Sequence, residues 1–93
     1  MPIVVRIPAY LSSFAGGQGA ITVQGKPQDV AGLLRELWQL HPALKDRIVD
    51  EQGEVRPHIN VFVGNEAIRF SGGLSTPVNE REEVVIVPAV SGG

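Results

Sequence analysis

The hydrophobic positions change period along the chain. Ile3, Val4 and Val5 open a run of β-branched residues that ends at Pro8, and branched Cβ atoms suit the pleated, half-buried surface of a strand. The segment YLSSFAGGQG reads as a turn punctuated by Gly16 and Gly17. AITVQG, from Ala20 to Gly25, supplies a second short strand and so a hairpin whose loop is longer than the tight two-residue kind. The period then becomes helical: Val30, Leu33, Leu34, Leu37 and Leu40 share one face. Pro27 suits a first helical position, and Asp29 then falls in the first turn, where the helix dipole favours negative charge. Pro42 bars continuation, so the helix ends near Leu40. Gly32 costs up to about 1 kcal/mol relative to Ala inside a helix, and it is expected where the helix lies close to a strand.

ALKDRIVDEQGEVR is a polar connection carrying Leu44, Ile48 and Val49, with room for a short turn of helix. PHINVFVGNEAIRF predicts a second hairpin, with strands Ile59–Val63 and Ala67–Phe70 on either side of GNE. After the turn-rich SGGLSTPVNEREE, Val84–Val87 form the last strand. Strand, strand, helix, strand, strand, strand excludes a run of βαβ units. It predicts an α+β fold: a mixed sheet of about five strands with one main helix packed on one face and a right-handed crossover from the second strand to the third. This is the β-grasp plan, in which the final strand is central and the residues after it leave the sheet as a free tail.

Alternation along the strands sorts their side chains. With Ile59, Val61, Val63, Val84 and Ile86 facing the helix, Phe62, Val85 and Val87 fall on the open face, an apolar cluster of the kind that marks a partner surface. Cover by loops such as RFSGGL is the alternative, as is a strand that is apolar on both sides because it is buried.

Ninety-three residues predict a single domain over 1–93 with a flexible tail at 88–93. A hydrophobic content of 43% with 19% charged residues argues for a globular chain. The absence of cysteine removes disulfides, thiol nucleophiles and iron–sulfur clusters, and fits the cytoplasm. A net charge of −2 offers no electrostatic reason to bind nucleic acid. MPIVVRIPAYL lacks the basic region of a secretory signal, and no run approaches the roughly 20 apolar residues of a membrane span, so a soluble protein is expected.

Little in the chain points to catalysis. His41 and His58 have no matched carboxylates for a metal site, and FAGGQG lacks the Lys-Ser/Thr and strand-to-helix setting of a phosphate loop. The serines have no His–Asp constellation. Glu80, Glu82 and Glu83 read as a solvated turn able to steer a basic partner. The remaining candidate is the ending PAVSGG. A terminal carboxylate, with a pKa of about 3.5, is ionised and a poor acyl donor, so a partner must activate it inside a narrow site. Gly92 and Gly93 suit that because they have no side chain to obstruct the passage. Pro88 lacks an N–H and so ends sheet pairing. Fraying of a loose terminus is the bland alternative.

VVRIPAYL with GGQ, HINVFVGNEAIRFSGGLSTPV and VVIVPAVSGG together resemble the ubiquitin-like sulfur carriers of the MoaD/ThiS family, most closely its CysO-type members. The specific part is the run from Asn60 through RFSGGL-x-T to IVPAV-x-GG; one departure is NEREE, where many relatives carry an Asp-Gly turn. The resemblance implies a non-catalytic carrier with no bound cofactor or metal. An E1-like adenylating enzyme of MoeB/ThiF type, using ATP and magnesium, would convert the Gly93 carboxylate to an acyl-adenylate, and a sulfur donor would replace AMP to leave a thiocarboxylate. The acceptor would lie on a cysteine synthase, on the large subunit of molybdopterin synthase or in the thiazole pathway, with cysteine biosynthesis leading. Gly93 is then the reactive residue, Gly92 the threading residue, and Val90 and Ser91 part of the tail that enters partners. Phe62, Phe70, Leu74, Val85 and Val87 are the docking candidates. A ubiquitin-like protein modifier or a plain interaction module is the alternative from another class.

Overall fold

The computed structural model describes residues 2–88. Strand β1 (Ile3–Arg6) runs antiparallel to β2 (Ala20–Val23), with Ile3 opposite Val23 and Arg6 opposite Ala20. Strand β3 (Ile59–Val63) turns back into the short β4 (Glu66–Ala67). The last strand, β5 (Val84–Pro88), lies between the two hairpins, parallel to β1 and antiparallel to β3. Among the described residues the sheet order is β2-β1-β5-β3-β4. Helix α2 (Val30–Leu40) buries Val30, Leu33, Leu34 and Leu37 in one core with the sheet residues Ile3, Val5, Ile21, Val23, Ile59, Val61, Val63, Val84 and Ile86. This is the ubiquitin-like β-grasp, with the final strand central as the element order predicts.

Local details depart from the sequence reading, each for a physical reason. The stretch read as a plain turn after β1 folds as helix α1 (Ala9–Ser12) followed by a 3-10 turn (Ser13–Ala15). Leu11 and Ala15 are four residues apart, so a helical path puts both on one face, and both are buried in the core. Helix α2 starts later than the proline suggested, because Asp29 is its N-cap: the residue is extended, and its carboxylate accepts the Gly32 N–H at 2.8 Å. The chain before the helix is held straight by residues 76–78. Val78 N–H donates to Gln28 O at 3.1 Å, and Val30 N–H donates to Thr76 O at 3.0 Å. Pro27 therefore lies outside the helix. Gly32 makes room for the cap, not for a strand: a Cβ there would lie 3.2 Å from Asp29 Oδ1 and 3.5 Å from Pro27 Cβ.

The connection after α2 carries a 3-10 turn (Pro42–Leu44) and helix α3 (Lys45–Ile48), whose Leu44 and Ile48 are fully buried. In the second hairpin Val63 faces Glu66, with Gly64 at φ +61° opening the loop, a conformation that glycine adopts without steric cost. Strand β4 stops at Ala67, not Phe70, and Ile68–Phe70 form a 3-10 turn. Ile68 turns inward to the core, and its carbonyl accepts the N–H groups of Ser71 and Gly72. The following loop is stitched by Thr76, whose buried hydroxyl donates to Gly73 O at 2.7 Å and lies 3.1 Å from Ser71 Oγ. NEREE makes its own turn, with Asn79 Oδ1 accepting the Arg81 N–H at 2.8 Å. No helix among the described residues is long and apolar enough to cross a membrane.

Leu37 is fully buried, so Leu37→Ala is expected to cost about 2–5 kcal/mol in chemical denaturation. Asp29→Ala should cost about 1 kcal/mol through loss of the cap alone. Equal, negligible losses would contradict this packing.

Candidate functional site

The sheet has one face under α2 and one face open. Register brings a row of residues together on the open side: Ala20 faces Arg6, Arg6 faces Val85, Val85 faces Phe62 and Phe62 faces Ala67. The row crosses every strand of the sheet. On the same face Val87 stands opposite Asn60. Phe62, Val85 and Val87 are half-buried, whereas their chain neighbours Val61, Val63, Val84 and Ile86 are buried. The alternation read from the sequence is therefore the one observed.

The apolar residues Ile68 and Leu74 of the segment after β4 turn away from this face. Ile68 belongs to the core and Leu74 packs against it, while Thr76 O is engaged by the N-terminus of α2. Leu74 lines one recess with Ala31, Leu34 and Trp38 and another with Asn60 and Arg69; neither includes Phe62, Val85 or Val87. Phe70, in the 3-10 turn after β4, is 83% exposed, an unusual position for a large aromatic side chain.

Polar residues edge the apolar strip. Arg6 Nε and Glu83 Oε2 form an ion pair of 2.9 Å, each side chain about half exposed. Asn60 Oδ1 accepts a hydrogen bond from Arg69 Nη2. Asn60 and Arg69 belong to the signature run of the sequence but carry no assigned role there, although the alternation that places Phe62 on this face places Asn60 there as well. Among the described residues no group of His, Cys, Asp and Glu could hold a metal ion.

Strand β5 delivers the chain's end beside this face, with Pro88 opposite Ile59. Val90, Ser91, Gly92 and Gly93 lie outside the described residues. Covalent geometry still bounds Gly93: five residues beyond Pro88, at 3.3–3.6 Å each, reach at most about 18 Å.

Residues 5–93 match the model of the ThiS family. The chain belongs to the ThiS family. It is 32% identical to the sulfur carrier protein CysO of Mycobacterium tuberculosis over 95 aligned residues, covering 100% of both chains. Among solved structures it resembles a chain in the crystal structure of the Amycolatopsis orientalis BexX/CysO complex, with a TM-score of 0.85 and 34% identity over 98% of this chain and 99% of that one. It also resembles SAMP1 from Haloferax volcanii, with a TM-score of 0.79 and 30% identity over 100% of both chains.

If the open face docks a protein partner, Phe62→Ala and Val85→Asp should each weaken binding of that partner by about 1–2 kcal/mol, roughly 5- to 30-fold, with cooperative unfolding retained. Calorimetric titration reads this directly, and unaltered affinity would remove the face from the docking surface.

Proposed function

We propose that this protein is a sulfur carrier whose reactive group is the Gly93 carboxylate. The observation that carries this reading is the family match running through residue 93, on a β-grasp whose central strand leads straight into the Gly-Gly ending. Similarity over the full chain to a protein named as a sulfur carrier supports it.

The chemistry follows from what a carboxylate lacks. At neutral pH it is ionised, and its oxygen is a poor leaving group. An E1-like partner supplies ATP with magnesium. A Gly93 carboxylate oxygen attacks the α-phosphorus, pyrophosphate departs, and the carbonyl becomes an acyl-adenylate. A sulfur donor then attacks that carbonyl and AMP leaves. With sulfide as that nucleophile the product is the thiocarboxylate itself; with a persulfide it is an acyl disulfide, which a thiol reductant cleaves to the thiocarboxylate. The terminal sulfur passes to an electrophilic acceptor held by a second enzyme, and hydrolysis of the resulting acyl link restores the carboxylate. The protein is therefore a regenerated reactant and not a catalyst. Gly92 clears the passage, Val90 and Ser91 thread it, and Phe62, Val85 and Val87 hold the partner while the tail works at a distance. The leading destination is cysteine synthesis, in line with the CysO relatives.

A second reading, a ubiquitin-like modifier joined to lysines, draws on the resemblance to SAMP1, a small archaeal modifier protein. Both readings share the acyl-adenylate and differ in the nucleophile that follows.

Incubation with the cognate adenylating enzyme, ATP and a sulfide source is expected to replace one terminal oxygen by sulfur, visible in the intact mass. Deleting Gly93, or adding one residue after it, should abolish that change and leave the Tm nearly unaltered. An unchanged mass of the native chain with an active cognate enzyme would falsify the carrier reading, and lysine-linked conjugates in its place would favour the modifier.

A further inference from the structure

We propose that Arg69, held by Asn60, is the anchor for a carboxylate on the protein that docks against the open sheet face. The matching partner surface is then apolar at its centre and acidic at its edge. The proposal rests on the carrier reading only for the identity of the partner.

Asn60 lies between the buried Ile59 and Val61, so its side chain shares the open face with Phe62. It stands opposite Val87, one residue before the end of β5. The Arg69 guanidinium, bonded to Asn60 Oδ1, is thereby fixed next to the apolar strip, near the last residues of β5.

Arg6 and Arg69, both beside this strip, differ in one respect. Arg6 is matched within the molecule by Glu83 at 2.9 Å. Arg69 has only the neutral oxygen of Asn60, and no carboxylate among the described residues pairs with it. A guanidinium offers five N–H donors in a planar fork, and most of those of Arg69 remain open.

That imbalance constrains any occupant. A partner that covers Phe62 and Val87 must also take Arg69 out of water, and a charge desolvated without a counter-charge is costly. A carboxylate meets the fork with two parallel hydrogen bonds and offsets the cost. Because Asn60 already holds the side chain, less rotamer entropy is lost on binding. A polyanion such as nucleic acid fits poorly, since the strip beside Arg69 is apolar and the chain carries a net charge of −2.

The test compares affinities for the adenylating enzyme encoded in the same genome. Arg69→Glu is expected to weaken binding about 10-fold or more at low salt, with a smaller difference at high salt. Arg69→Lys should restore part of the loss, since a lysine keeps the charge without the fork. Arg35→Glu makes the same charge change at an exposed position on α2, across the sheet, and should leave affinity near that of the native chain. If Arg69→Glu lowers the Tm, Arg69→Gln, which retains a donor for Asn60, carries the comparison and should still weaken binding. Equal effects of Arg69→Glu and Arg35→Glu, or none from either, would overturn the anchor and leave the carrier reading standing. Failure of the native chain itself to bind an active enzyme would overturn both.

Discussion

The pairing of β5 along both edges is the constraint on which the rest of this fold depends. The hairpins β1–β2 and β3–β4 share no strand pairing with one another among the described residues, and β5 joins them. Its register with β3 runs from Val63 opposite Val84 to Ile59 opposite Pro88. A sheet completed by its last strand depends on contacts of high sequence separation, whose loop-closure entropy must be met before they stabilise anything. The same arrangement places β5, up to Pro88, in the centre of the sheet.

One helix over one face has a second consequence. The core gathers Val84 and Ile86 beneath α2 with Leu33 and Leu37, and the alternate residues of the same strand are left for another surface. Val85 and Val87 are half-buried on the other face. Their neighbours Phe62, Asn60 and Arg69 complete a face that is apolar in the middle and cationic beside the last residues of β5. Under the carrier reading this division is useful: binding energy is gathered on the rigid sheet, so the slender tail need contribute little affinity and can pass between enzymes.

Parts of the family-like signature turn out to be scaffold. In RFSGGLST the conspicuous Ser71 and Thr76 bond to one another's neighbourhood, with Thr76 bonded to Gly73 O, and Thr76 O meets the first N–H of α2. The loop braces the helix start. Arg69 is its outward-facing member with a bond to the open face. A sequence motif can therefore mix residues that hold a loop with residues free to meet a partner, and only their hydrogen bonds separate the two.

Strand periodicity, the helix face and the Gly-Gly ending were legible from the sequence because each is local: side-chain alternation and 3.6-residue spacing require no knowledge of what lies opposite. From them came the central last strand, the division of Val84 and Ile86 from Val85 and Val87, and the candidate reactive residue. The misplaced elements had non-local causes. Asp29 became a cap because residues 76–78 straighten the chain before α2. Ala9–Ser12 became helical because the core takes up Leu11 and Ala15. Strand β4 stopped at Ala67 because Ile68 turns inward, and Leu74 went to the helix side with it. Arg69 belongs to the signature that the sequence offers, but its hydrogen bond to Asn60 and its lack of an ion pair among the described residues come from how the hairpin folds. Side-chain period belongs to the chain itself, whereas the pairing of charges belongs to the packing of distant segments, and that is why the first was readable in advance and the second was not.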